Sequence, residues 1–503
     1  MRATDFDLII SGGSVYDGGA GEGFRADVGL SGDRIAAIGD LSAAAAPRTI
    51  DATGLVVCPG FIDPHTHCHV DVDKGVLHSD NLLRQGITTV IAGNCGGSGW
   101  PVAEHLAKVE QEGFKSNYGM LVGHHTVRRI AMEGADSPWP TREQTTAMQE
   151  MVRQGLDEGA LGVTVGYAQR HETFDEIVAF TRPAAEAATI YASHIRSEDR
   201  ALVQGVAEAI EVAHETGIAV QISHLKTNGP ANWDKLDIVL DMIEGAVAMS
   251  LDVAADRYPY IGWHGGSTNI MTRWCYEEAE RRGGREHLTD PDIVEHFRRE
   301  VAELLAGFGG PDRLMFTSLS EPDPEIDGRT VADLMAVWGV EAIEVALEIE
   351  RRNEDHRIGA VGFTMDEDNL RRILAHPLVM IGTDAHLEVF GRSATHPRNY
   401  GTYPRVLGRY VFDEAIMFPG DAIEKMTSMP ARRYGLRERG WLRPGCFADV
   451  VIFDPATVID NATFADAHQY PTGIPYVIVN GQVAVDNDVT APEHFGRVLR
   501  REE

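Results

Sequence analysis

Residues 55–69 read LVVCPGFIDPHTHCH, an apolar run that ends in Asp63-Pro-His65-Thr-His67. In extended backbone, residues i and i+2 point the same way. His65 and His67 therefore present two imidazoles side by side, a spacing suited to one metal ion. A His-x-His pair alone fits two satisfied core histidines equally well, so its meaning depends on what stands at the ends of the other apolar runs.

Seven further runs follow in the same style, each trailed by a polar turn and an amphipathic segment: ITTVIAGN (87–94), YGMLVGHH (118–125), ALGVTVG (160–166), TIYASH (189–194), IAVQISH (218–224), SLDVAAD (250–256) and LVMIGTD (378–384). Eight apolar strands alternating with helices predict an α/β fold of the (β/α)8 barrel type, with its active site where the strands end. Ligand-type residues stand at those ends: Cys95, His194, His224 and Asp384 join the two histidines. A thiolate with two imidazoles is a borderline-soft zinc set, so Cys95, His194 and His224 are expected to hold a tight ion. His65, His67 and Asp384 would then form a second, looser site.

The interval 257–377 is far longer than a normal βα step, and 276–350 is strongly helical and charged, as an insertion overhanging the barrel mouth would be. Residues 7–52 and 440–486 have a different texture, short apolar runs broken by Gly, Asp and Ser, with an Asn480-Gly481 turn. The two ends are expected to pair into one sheet.

Composition narrows the function. Lys plus Arg number 45 against 76 Asp plus Glu, a net charge of −31, which repels polyphosphate and anionic lipid; no nucleic-acid or membrane partner is expected. The N-terminal MRATDFDLIISGG carries no signal-peptide apolar stretch and no run approaches a membrane span, which reads as cytoplasmic. The five cysteines, Cys58, Cys68, Cys95, Cys275 and Cys446, include no CxxC pair and should act singly. Neither a GxSxG elbow nor a nucleotide-binding glycine motif occurs.

Taken together, PGFIDPHTH, GNCG (93–96), SHIRSE (193–198), SHLK (223–226), YPY (258–260), GTD, HPRNYGTYPRVLGRY (396–410), PARRYGL, LRPGCFADVVIFDP and VIVNG resemble the N-acyl-D-amino-acid deacylases (D-aminoacylases) of the amidohydrolase superfamily. The similarity runs from residue 7 to about 486. It implies a (β/α)8 barrel over 56–434 with a small β-sandwich domain built from 1–55 and 435–503, one or two zinc ions, and hydrolysis of an N-acyl amide to a carboxylate and a D-amino acid. It also implies that Cys95, His194 and His224 hold the tight zinc, that the His65 and His67 pair serves the weaker site, and that Asp384 is the general base and acid. Tyr167, Tyr258 and Ser267 become expected substrate contacts. The substrate is a small anionic amide, so an acidic protein must supply local cations, and Lys226 and Arg398 fit that role. Arg196 and Glu198 follow a ligand directly and are expected to orient it.

Several features depart from the family pattern. The end of the fourth strand lacks the carboxylated bridging lysine of many superfamily members, a mark of this branch. Cys68-His69-Val-Asp71 follows the His-x-His pair where members usually have Asp-Asp, which makes His69 a candidate to join the metal site. The stretches 166–174 and 258–268 add Arg170, His171, Trp263 and His264 beside the expected pocket and point to an unusual or aromatic substrate. Two other readings use the same residues: a hydantoinase- or dihydroorotase-like hydrolase of cyclic amides, and a catalytically silent scaffold.

Overall fold

Eight parallel strands carry the candidate residues. They are β1 (Phe61–Asp63), β2 (Ile87–Ala92), β3 (Asn117–Met120, resumed as Val122–Gly123), β4 (Gly162–Val165), β5 (Ile190–Ser193), β6 (Ala219–Ile222), β7 (Val253–Arg257) and β8 (Val379–Ile381). The structure is a computed structural model that describes residues 5–501 apart from 136, 168–170, 267–272, 320–321, 354–357 and 393–394. β1 pairs with β2, and β2 with the first part of β3; the second part of β3 pairs with β4, and pairing continues through β5, β6 and β7 to β8. A parallel bridge between Thr66 and Ala385 links the segments that follow β1 and β8. Around it the Asp384 N–H donates to the His65 carbonyl at 2.9 Å and the His67 N–H to the Ala385 carbonyl at 2.8 Å. Strands that run parallel in chain order bring all their C-terminal ends to one side.

Nearly every strand residue in this set is buried, as expected where helices cover the outer face. The helix Leu202–Thr216 shows how: Leu202, Val206, Ala209, Val212 and Ala213 recur at helical spacing and are buried, and Gly217, at φ 73°, ends the helix in the left-handed conformation.

The terminal segments pair into one nine-stranded, mostly antiparallel sheet. The seam lies between Val56–Pro59 and Val450–Phe453, which run antiparallel. The Asn480-Gly481 turn is present, with both residues at positive φ (49° and 79°), joining Tyr476–Val479 to Gln482–Asp486. One difference from the sequence reading concerns 55–67, which is two strands rather than one: Val56–Pro59 belongs to the terminal sheet and Phe61–Asp63 to the parallel set. The chain crosses between them at Gly60, where a Cβ would fall 2.1 Å from Thr88 Oγ1. Only glycine fits that crossing.

Between β7 and β8 lies an inserted unit with an antiparallel sheet of its own, Gly262–Gly266, Ile358–Phe363 and Leu314–Ser318 in that order. Its helices Pro291–Phe308, Val331–Trp338 and Ala342–Arg352 close over a separate core that includes Phe297, Leu305, Phe316, Leu334 and Ile349. Among the described residues, no helix is long and apolar enough to cross a membrane.

Candidate metal centre and active site

Each candidate ligand sits just beyond a strand end, and three of them have backbone that L-residues seldom adopt. Cys95, His224 and Asp384 have φ of 51°, 36° and 54°. Such residues cost on the order of 1–3 kcal/mol each and survive where the surroundings over-determine them, often at functional sites.

The side chains converge. Cys95 Sγ lies 3.5 Å from His65 Nε2, 3.6 Å from His194 Nδ1 and 3.6 Å from His224 Nε2. Asp384 Oδ1 is 2.9 Å from His67 Nε2 and 3.5 Å from His65 Nε2. Donor atoms of three overlapping triads, His65/His67/Cys95, Cys95/His194/His224 and His65/His224/Asp384, lie within 4.8 Å of one another. The six side chains singled out in the sequence thus meet in one cluster.

The cluster is braced from behind by groups the sequence reading passed over or only touched on. Asp256, at the end of β7, places Oδ1 3.1 Å from His65 Nδ1 and accepts from the His224 N–H at 2.8 Å; its Oδ2 accepts from Gln221 at 2.9 Å. Sequence reading missed Asp256, although it stands at a strand end like the other ligand-type residues. Glu198 Oε1 lies 2.8 Å from His224 Nδ1. These contacts fix the imidazole tautomers and aim the opposite nitrogens at the cluster. Asp63 ties β1 to β8, accepting from the His65 N–H (3.1 Å), the Thr383 N–H (3.0 Å) and the Thr383 hydroxyl (2.5 Å); burial pushes its carboxyl up to about 7. His69 does not join: its Nδ1 accepts the Gly93 N–H at 3.1 Å, bracing the Cys95 turn, while Cys68 packs into the apolar core.

Electrostatics follow from this crowding. Burial would raise the Cys95 thiol, yet the His65 and His224 imidazoles outweigh it and hold it well below the usual thiol value. Asp384 would likewise be raised by burial, but the Arg398 guanidinium and His65 keep it well below the carboxylate range. A thiol whose pKa is held down by neighbouring imidazoles gives up its proton readily to a divalent ion.

A cavity of about 370 Å³ opens over the cluster, lined among others by His67, Cys95, His194, Asp384 and Arg398, together with Lys74, His264, Leu319, His386 and Glu388. Arg398 Nη1 reaches Asp384 Oδ2 at 2.7 Å. Lys226 is buried behind the cluster, bonded to Glu198, with its Nζ beside His224 Nδ1. Tyr258 is buried too, its ring under the Arg398 guanidinium at 4.9 Å. Tyr167 donates to Glu208 at 3.1 Å and lies beneath Arg196. Neither Lys226, Tyr258 nor Tyr167 lines the cavity, and Ser267 lies outside the described residues, as does Arg170. Arg196 bonds Glu208 rather than a ligand. His171 packs on Trp139, Trp263 on Phe308, and His264 faces the cavity with Nε2 3.1 Å from Thr317 Oγ1.

A thiol, imidazoles and carboxylates at the mouths of parallel strands make a donor set suited to a divalent ion, and the chain belongs to the Amidohydrolase family, whose profile matches residues 48–485. Within it the chain is 35% identical over 527 residues to the D-aminoacylase of Alcaligenes xylosoxydans xylosoxydans, covering 99% of this chain and 98% of that one. It superposes on the crystal structure of N-acyl-D-glutamate deacylase from Bordetella bronchiseptica, complexed with zinc and a phosphonate inhibitor, with a TM-score of 0.83 and 33% identity over 99% of this chain and 100% of the other. The likeness to L-hydantoinase from Arthrobacter aurescens (TM-score 0.60, 17% identity, 99% of this chain and 100% of that one) is one of fold alone.

Proposed function

We propose that the protein is a zinc-dependent hydrolase that cleaves the acyl amide of N-acyl-D-amino acids or closely similar linear amides. The observation that carries this reading is the Cys95 thiol, 3.5–3.6 Å from three imidazole nitrogens. Those separations suit donors sharing an ion: bonds of roughly 2.0–2.3 Å to nitrogen and sulfur leave tetrahedral edges of about 3.5 Å. Cys95, His194 and His224 would hold the tight ion, and His65, His67 and Asp384 a second one. The proposal includes a closed (β/α)8 barrel from Phe61 to about residue 434, supported by the Thr66–Ala385 bridge, and a small β-sandwich domain from the terminal segments, with Val56–Pro59 on its side of the boundary. It also includes a cytoplasmic location, in keeping with five free thiols.

When bound, zinc supplies positive charge that polarises an amide carbonyl and acidifies water. The remaining work falls to the chain. Asp384, at the cavity floor, takes a proton from the attacking water and delivers it to the departing nitrogen. Asp256 and Glu198 keep His65 and His224 aimed, and Arg398 offers its guanidinium to the substrate carboxylate. Lys226, behind the cluster, acts through Glu198 and His224 rather than on substrate.

The test is a turnover panel of N-acetyl and longer N-acyl derivatives of D- and L-amino acids, with cyclic ureides alongside, run on protein of measured metal content. Selective cleavage of D-amides, lost on chelation and in Cys95→Ala, is the expected result. Cleavage of cyclic ureides alone would transfer the protein to the hydantoinase reading, and zinc-free, inactive protein would sink both.

A further inference from the structure

We propose that His124, His125 and Glu172 hold a further divalent metal ion, of the borderline class that imidazole and carboxylate take together, against the turn that carries Cys95. The ends of β1, β2, β5, β6 and β8 all feed the cluster described above, whereas those of β3 and β4 do not. His124 and His125 directly follow the second part of β3, and Glu172 lies in the segment after β4. One donor atom from each of the three lies within 4.8 Å of the others. His125 Nε2 is 3.7 Å from Glu172 Oε1, beyond hydrogen-bond reach yet close to the separations found around Cys95.

The state of His124 supports the proposal independently. It is fully buried, with Nε2 2.9 Å from Glu176 Oε1, and that oxygen is also gripped by Arg128 Nε at 2.7 Å. Thr173 caps the helix that carries Glu176 and so fixes this carboxylate. An imidazole held this way keeps its proton on Nε2 and is left with a lone pair on Nδ1, and Nδ1 has no hydrogen-bond partner. A buried lone pair without a donor is costly. Carboxylate on one nitrogen and metal on the other is the usual arrangement of a ligating histidine, and the pairs Asp256–His65 and Glu198–His224 repeat it at the main cluster. The His125 ring packs on the Cys95 turn: a Cβ on Gly96 would fall 2.8 Å from its Nδ1 and one on Gly166 3.1 Å from its Cε1.

The experiment is a cobalt(II) titration of the full-length, chelator-stripped protein, followed by visible spectroscopy and bound-metal analysis. Wild-type protein should bind one equivalent more than His125→Ala or Glu172→Gln. The extra equivalent should add weak d–d bands with no thiolate charge transfer, and should persist in Cys95→Ala. Equal stoichiometry in wild type and both variants would overturn the proposal. Glu172→Gln keeps side-chain volume and serves if His125→Ala does not fold. A missing thiolate band in wild type would instead count against the main cluster, so the two failures read differently.

Discussion

Arg398 Nη1 stands 2.7 Å from Asp384 Oδ2, and both side chains are buried beside the cavity. In the proposed reaction the guanidinium would serve two carboxylates in turn, that of Asp384 and the one a substrate would bring. Arg398→Ala should raise KM and lower kcat/KM at least about a hundredfold, and breaking a buried pair should cost roughly 3–5 kcal/mol of stability. Arg398→Lys keeps the charge and loses the fork, so its deficit should fall between. Steady-state kinetics with thermal melts will show this, and a wild-type Arg398→Lys would remove the fork from the account.

Metal removal should act through one thiol. Dialysis against a chelator should abolish turnover and added zinc should restore it, whereas Cys95→Ser should stay inactive at the same zinc concentration and retain less zinc after gel filtration. Elemental analysis beside activity separates these cases.

Asp256 does not line the cavity, yet its carboxylate positions both His65 and the backbone of His224. Asp256→Asn should fold normally and lose about 10- to 100-fold in zinc affinity. Competition against a chromophoric chelator measures it, and unchanged affinity would reduce Asp256 to a packing role.

Glu350, in the core of the inserted unit, has neither carboxylate oxygen hydrogen-bonded, and burial raises its pKa from 4.5 to about 7. Below pH 4.5 the carboxyl is neutral in both states. Between about 4.5 and 7 the unfolded chain ionises first, so stability falls as pH rises, by an amount on the order of 3 kcal/mol, and then levels off. Denaturation midpoints should drop from pH 5 to pH 7.5 in wild type and change less in Glu350→Gln.

Much of the site was legible because its chemistry is local. A ligand-type residue at the end of an apolar run can be read without knowing the fold, and His65, His67, Cys95, His194, His224 and Asp384 do meet. What escaped depends on direction and depth. Lys226 follows His224 by two residues in SHLK, but the turn at His224, φ 36°, sends it behind the imidazole to Glu198. His69 shares the His-x-His spacing, yet the helix Cys68–Asp73 begins there, so the alternation of extended backbone no longer applies and the ring swings to Gly93. The break at Gly60 was hidden because apolar residues continue across it, and the different sheet partners on its two sides show two strands. Asp256 ends its run as the other ligand-type residues do, but its partners come from β6 and from the segments after β1 and β6, which only the fold brings to it.

The seam between Val56–Pro59 and Val450–Phe453 sets an order of events for a chain emerging from the ribosome. Val57 meets Ile452 only after the whole intervening parallel-strand region has been made, and pairings between such distant segments form slowly. Val56–Pro59 waits as an unprotected edge throughout synthesis, two residues ahead of the strand that leads into His65. Completion of that edge is thus a late step, and truncation before residue 450 would leave the early strands without their neighbour and prone to self-association.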